Sequence, residues 1–384
     1  MPRPARRLVR QVLICAFLTE AVPLYALYSL LFASSGLSGA QISALFVIWC
    51  VTGILSQVPT GALADRYSRR LAVAAAGLLQ AGGYTIWTLF PHFAGFAAGF
   101  VVWGVGGSLF AGALEALLYD GLAAHGAQEH YARVWGWQTA TGLFAQAPAA
   151  GAATVLFHFG GFTLVGWVSA VGCLFAGLVA LRIPEAPRRP EPGERDPAEP
   201  GYLATLRAGL REAIGLPRVR LAILVVAALV AFDGTEEYFP LLAAGWGVPT
   251  GWVPLAVVGI PLLAAGGAAL SGAATRLGPR TLGLLLGVAF VLFGVAGLLR
   301  APAGLAAVAV GYSLYRLVEV VAGARLQDRI DSARRATVTS IAGLGTDVSA
   351  IVLYALWPLG QLVLIAVLGL ALAAALPRWL RERK

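Results

Sequence analysis

The sequence predicts an all-α membrane protein in which twelve transmembrane helices form two parallel six-helix halves. Three observations lead there. Hydrophobic residues make up 59% of the 384-residue chain even before its 47 glycines are counted. Charged residues reach only 12%, about half the share in soluble domains. The charges that remain gather in short clusters, and the apolar gaps between clusters are about two membrane spans long. The net charge of +9 would suggest nucleic acid in a soluble protein, but here the basic residues punctuate apolar runs and read as a topology signal. Cys15, Cys50 and Cys173 lie inside apolar stretches without pairing or metal-binding spacing, so they read as small core hydrophobes.

A helix rises 1.5 Å per residue and needs about 20 apolar residues to cross about 30 Å of hydrocarbon. From Arg10 to Asp65 the only charge is Glu20, and none occurs from Arg70 to Glu115 or from Arg133 to Arg182. Turn-rich pieces at Ser34–Gly39, Pro91–Phe93 and His158–Gly161 divide these gaps, giving six spans. Helix 1 is read as a continuous run from Gln11 to Phe32, too long for the apolar core of a signal peptide and interrupted by Glu20. The second half repeats the arrangement, with breaks at Gly245–Gly251, Arg300–Gly304 and Trp357–Gly360.

All but two of the 28 basic residues, Arg300 and Arg316, fall on one side of these spans. The excess of Lys and Arg on cytoplasmic loops therefore predicts cytoplasmic termini. The expected organisation is an N-terminal half over 1–182, a cytoplasmic linker over 183–217 and a C-terminal half over 218–384. Ile183–Gly201, rich in proline and mixed charge, reads as mobile, and the stretch from Glu185 to Pro200 is expected to carry no chemistry. Leu203, Leu206, Leu210 and Ile214 recur at helical spacing, as in an interfacial amphipathic helix or an ordinary connector.

The halves echo each other. GALADRYSRR (Gly61–Arg70) aligns at an offset of 210 with SGAATRLGPR (Ser271–Arg280), so that Arg66 matches Arg276 and Arg70 matches Arg280. At an offset of 204, Gly107 matches Gly311 and Glu115 matches Glu319. Parallel six-helix repeats joined by a linker are one of the architectures of secondary transporters.

The segment GALADRYSRR resembles the loop between helices 2 and 3 of major facilitator superfamily transporters, whose pattern reads GxLaDRxGRR. Gly61, Leu63, Asp65, Arg66, Arg69 and Arg70 match, and Ser68 stands where the family usually has glycine. The resemblance implies a conformational gate of Gly61, Asp65, Arg66, Arg69 and Arg70 with Glu115, Asp120 and Arg133. In it Arg69 would meet Asp120 at the end of helix 4, and Asp65 would face the start of helix 11 near Thr337. Helix-end electrostatics and the fit of an arginine fork to a carboxylate support the same pairing. Drug exporters of the family often carry an arginine midway along helix 4, which Phe100–Gly107 lacks. Their glycine-proline pattern in helix 5 survives as Gly142 and Ala147–Pro148, which tips direction outward; ordinary small-residue packing also accounts for it.

An ionisable group at membrane depth costs about 2.5 kcal/mol or more, so it normally faces a cavity or a partner. Glu20 lies ten residues, about 15 Å, beyond Arg10, at the midplane of helix 1. Asp233, Glu236 and Glu237 lie in helix 7, Arg316 and Glu319 share a face of helix 10, and Asp347 lies in helix 11. These seven are the candidate substrate or proton-coupling residues, Glu20 and Asp233 foremost. Trp87, Trp103, Trp135, Trp137, Trp167 and Trp357 anchor at interfaces or line the cavity.

No HExxH, GxSxG or phosphate-loop pattern occurs in the chain, so an intramembrane enzyme is disfavoured. His125, Glu129 and His130 lack the spacing of a metal site; neither metal nor cofactor is expected. No filter-like segment suggests a channel, and the loops are too short for an ATPase domain. The expected function is proton-coupled export of a small amphiphilic or cationic molecule by a monomeric transporter in a bacterial inner membrane. Uptake of a sugar or metabolite is the alternative.

Overall fold

The computed structural model describes residues 1–186, 224–225, 227–327 and 335–380, the side chains of 326–327 and 335–344 excepted. The proposed amphipathic stretch at 203–214 and most of the linker lie outside these residues. Among the described residues no strand occurs.

The first half runs as α1 (Arg3–Glu20), α2 (Tyr28–Ser34), α3 (Gly39–Arg66), α4 (Arg69–Leu89), α5 (Phe93–Ala124) and α6 (Tyr131–Ala180). The second half contains α7 (Phe239–Gly245), α8 (Val253–Val257), α9 (Gly259–Ala269), α10 (Ser271–Ala274), α11 (Pro279–Leu299), α12 (Gly304–Gln327) and α13 (Arg335–Leu380). Seven of the described helices suffice, by length and composition alone, to cross a membrane. The whole set is compatible with the predicted twelve spans once α6 and α13 are divided. Gly160 and Gly161 break α6, with Gly161 at φ +57, a backbone region that suits glycine. Gln361, at φ +49, breaks α13, one residue beyond the segment predicted from Trp357 to Gly360.

Helix starts follow local chemistry. Ser38 and Gln41 form a reciprocal capping box at α3, the Gln41 N–H donating to Ser38 Oγ and the Ser38 N–H to Gln41 Oε1 at 2.9 Å. Ser68 caps α4, accepting from the Leu71 N–H at 3.2 Å. One expectation is corrected: helix 1 is not continuous from Gln11 to Phe32. It stops at Glu20 and passes through a 3₁₀ turn at Pro23–Ala26 before α2. Pro23 has no N–H to give and its ring clashes with the preceding turn. The freed Leu24 N–H donates to Ser169 Oγ at 2.9 Å, so the break carries its own compensation. Span 7 is interrupted in the same manner by a 3₁₀ segment, Phe232–Tyr238. The Leu229 carbonyl ahead of it accepts from the Tyr315 hydroxyl at 2.7 Å.

The chain separates into two compact units, Met1–Pro187 with Glu237–Gly259 and Arg188–Glu236 with Ile260–Lys384. In the first, α4 crosses α6 closely because Gly77 faces Gly177: a Cβ on Gly77 would come within 2.7 Å of the Gly177 Cα. Small residues let backbones approach where lipid offers no hydrophobic drive between helices. Trp87 is buried to 1% exposure among Tyr28, Phe32 and Phe100, so this tryptophan is core rather than an interface anchor. In the second unit Phe290, Phe293 and Tyr315 form the equivalent aromatic centre.

Candidate functional site

The predicted residues fall into three groups. The first surrounds Glu20, the last residue of α1, where the helix ends ahead of Pro23. Its carboxylate opens into a cavity of about 220 Å³, also lined by Tyr25, Gln80, Tyr84, Trp103 and Phe110. Glu20 makes no hydrogen bond or ion pair among the described residues. Gly142 of α6 admits it: a Cβ there would stand 3.1 Å from Glu20 Cγ. The glycine of the helix 5 pattern thus acts as a seat for the acid of helix 1. Sequence reasoning missed Gln80 and Tyr84, which carry no charge to mark them.

The second group is the acid network of unit 2. Asp233 and Glu236 sit in the 3₁₀ segment, and the Tyr312 hydroxyl of α12 donates toward both, at 3.1 Å to Asp233 and 3.2 Å to Glu236. Arg316, one turn along the same face, pairs with Asp233 and, at 2.8 Å, with Glu319. Arg316 and Glu319, placed on one helix face by their spacing, are thus an ion pair, while Asp347 makes no hydrogen bond or ion pair among the described residues. Asp233 is therefore not the free carboxylate that its depth suggested. Tyr312 was findable, since four residues separate it from Arg316 on one helical face. Glu237, the next residue, lies in the other unit and is half-buried beside Tyr238, without a hydrogen bond or ion pair among the described residues.

The third group is the α3–α4 junction. Arg69 pairs with Asp120 at the end of α5, with Asp65 at 3.1 Å, and donates to the Ala116 carbonyl at 3.3 Å. Its predicted partnership with Asp120 is thus present. The partner expected for Asp65 near Thr337 lies among side chains outside the described set. Arg66 lies over the Tyr67 ring at 5.6 Å, and the Tyr131 hydroxyl donates to Glu115 at 3.0 Å. Arg70 is not drawn into the carboxylate cluster, and a Cβ on Gly61 would meet nothing within 4 Å. Arg133 instead lines a separate groove with α1.

One residue here overturns an expectation. Glu185, counted with the inert linker, accepts the Ser68 hydroxyl at 2.5 Å and the Arg69 N–H at 2.8 Å. Ile183, two residues earlier, is wholly buried in the core cluster that also contains Ala72, Val73 and Ala76 of α4, which anchors the chain beside the start of that helix. A carboxylate at a helix N-terminus satisfies orphan N–H groups and meets the positive end of the dipole. The serine that replaces the family's glycine at position 68 supplies one of its two donors.

A sequence-family model for the Major Facilitator Superfamily matches residues 12–354. An uncharacterized MFS-type transporter of Mycobacterium tuberculosis (strain ATCC 25618 / H37Rv) is 37% identical over 150 residues, 38% of this chain and 34% of its own length. The chain thus matches about a third of that relative. Among solved structures, a nucleoside transporter, NupG, superposes at TM-score 0.74 with 15% identity, over 98% of this chain and 100% of that one. A D-xylose–proton symporter reaches 0.70 at 13% identity, over 98% of each chain. A bacterial homologue of the lysosomal transporter Spinster reaches 0.72 at 17% identity, over 99% of this chain and 93% of that one. Identities this low speak to the fold alone. With the family model spanning most of the sequence, the chain belongs to the major facilitator superfamily, and its long apolar helices are those of a multi-pass membrane protein.

Proposed function

We propose that the protein is a secondary active transporter that exports a small amphiphilic or cationic molecule in exchange for protons, by alternating access. The observation that carries this reading is Glu20, a carboxylate at a helix break without a hydrogen bond or ion pair among the described residues, facing a cavity walled mainly by aromatic rings, with the Gln80 amide among its polar groups. A carboxylate in such a place is solvated, protonated or matched by a cation. Proton and cationic group therefore compete for one site, which couples their movements in opposite directions. The cavity, at about 220 Å³, is smaller than the 300–1,000 Å³ of drug-sized pockets. It suits the charged or aromatic end of a substrate rather than the whole of it.

The halves 1–182 and 218–384 act as the two moving bodies, joined by the linker 183–217. Asp233, Glu236, Arg316 and Glu319 hold helices 7 and 10 of the second body together, with Glu237 and Asp347 as further protonatable groups. Gly61, Asp65, Arg66, Arg69, Arg70, Glu115, Asp120 and Arg133 form the gate at the basic end. That end faces the cytoplasm of a bacterial cell, and the transporter works as a monomer.

The test is transport by purified protein in liposomes with an imposed pH gradient. Liposomes that are acid inside should accumulate ethidium against its gradient, and Glu20→Gln, which resembles the protonated acid, should fall to the level of protein-free vesicles while melting at the same temperature. Wild-type accumulation by the variant would remove Glu20 from coupling. Proton-driven movement of D-xylose or a nucleoside, with none of ethidium, would replace export by uptake.

A further inference from the structure

A second cavity within unit 1 is larger than the one at Glu20. A groove of about 750 Å³ runs between α1 and the first turns of α6, and its two walls are graded in the same direction. On α1, Arg6 and Arg10 are followed one and two turns later by Ile14 and Phe17; on α6, Arg133 is followed one turn later by Trp137. The apolar side chains stand open rather than packed, with Ile14 44%, Phe17 38% and Trp137 48% exposed. Among the described residues no carboxylate lines the groove. The Glu129 carboxylate nearby is engaged with His130 at 3.3 Å, and Arg6 gives only its Nε, to the Met1 carbonyl at 2.9 Å.

We propose that this groove binds an anionic phospholipid, its phosphate held by Arg6, Arg10 and Arg133 and its acyl chain laid along Ile14, Phe17 and Trp137. Arg10 and Phe17 are seven residues apart on one helix, about 10 Å, which is the offset between a lipid phosphate and the upper acyl chain. Two walls carry that offset in register. The excess of basic residues at one end of the bundle accounts for arginines there, but not for the alignment of three of them with an uncovered apolar stripe. Guanidinium forks suit phosphate, and basic pockets between transmembrane helices recognise anionic headgroups. The inference is independent of Glu20 and of the direction of transport.

Delipidated full-length protein in neutral detergent, titrated with dioleoyl-phosphatidylglycerol or dioleoyl-phosphatidylcholine and read by native mass spectrometry, tests it. Wild type should retain phosphatidylglycerol in preference to phosphatidylcholine. Each guanidinium contributes about fivefold, so Arg10→Gln with Arg133→Gln should lower that preference about 25-fold. Arg10→Lys with Arg133→Lys should keep most of it, and Arg276→Gln with Arg280→Gln, at basic positions that are not among the groove's lining residues, should keep all of it. Equal retention of the two lipids by wild type, or an equal loss in the Arg276/Arg280 variant, would overturn the proposal. So would displacement of the lipid by millimolar inorganic phosphate, which would assign the site to a free anion.

Discussion

Arg316 is the side chain on which the acid network of unit 2 depends. It lies between Asp233 and Glu319, while Tyr312 stands between Asp233 and Glu236. Removing a base from among three acids leaves uncompensated charge, whereas removing one acid lowers the excess. Breaking a buried pair by deleting one partner typically costs about 3 to 5 kcal/mol, and the partial exposure of this pair, 29% at Arg316 and 34% at Asp233, brings the expectation nearer 2. Arg316→Gln should therefore lower the melting temperature of the purified protein by several degrees, and Asp233→Asn by less, because Arg316 keeps Glu319. Equal destabilisation by the two variants would mean that hydrogen bonding rather than charge balance holds the network. Glu20 is the contrasting residue. Its depth was legible in the spacing from Arg10, but its freedom and the paired state of Asp233 were not. Both depend on which residues of other helices face them, and one-dimensional hydropathy does not encode that.

At the scale of elements, the two halves repeat a device that the sequence only partly showed. Adding the motif offset of 210 to the 3₁₀ turn Pro23–Ala26 gives 233–236, inside the 3₁₀ segment Phe232–Tyr238. Helices 1 and 7 thus unwind at corresponding places, each beside its acids, as expected where a transporter places binding groups at mid-membrane. Pro23 opens the first break, whereas the second has Gly234 within it and Pro240 just after it, a less direct signal. The α3–α4 junction and its counterpart also differ in polarity. In unit 1 the loop arginine Arg69 reaches Asp120 on α5; in unit 2 Arg325 of α12 reaches back to the loop carbonyls of Thr275, at 2.8 Å, and Leu277. The Arg69–Asp120 pair was readable from the motif, whereas the clamp by Glu185 was hidden by the proline-rich composition that follows it. Glu185→Ala removes an acceptor from the Arg69 N–H and the Ser68 hydroxyl, worth about 1 kcal/mol as a helix cap. Transport should slow and the protein should melt a few degrees lower, with Glu185→Gln intermediate. Replacing 187–200 by an equally long flexible chain should leave both unchanged. If Glu185→Ala behaves as wild type in both measurements, the contact is incidental. The same holds for Asp65→Asn, which should impair transport without loss of membrane abundance and change the labelling of a single cysteine placed in the basic half of the cavity.

The whole molecule follows from the alternation of charge clusters and double-length apolar gaps, and this made twelve spans legible before any contact was known. Each predicted break has a structural counterpart within about a residue, because turn-forming residues and helix-ending chemistry are local. Within α6 and α13 two helices each meet at a kink, at Gly160 and Gly161 and at Gln361, where the backbone leaves helical geometry; the glycines mark the first kink in the sequence, whereas Gln361 is no special residue type to mark the second. The predicted even number of spans puts both termini on one side, and the excess of basic loops predicts that this side is the cytoplasm. The membrane potential and the anionic inner leaflet both favour that assignment. With Cys15, Cys50 and Cys173 replaced by serine or alanine, single cysteines at Gly36 and Ala303 should react in intact cells with a membrane-impermeant maleimide. Cysteines at Gly126 and Gly278 should react only after the membrane is opened. The four positions sample two loops of each half, and Gly36 and Gly126 both have positive φ in turns clear of neighbouring atoms, where a cysteine is strained but accessible. Ala303 follows Arg300, the one basic residue placed in an outer loop, so its reactivity is the sharpest check on orientation. Labelling of Ala303 from inside together with Gly36 from outside would break the twelve-span count between them, and labelling of all four in the reverse sense would invert the protein and the direction of transport with it.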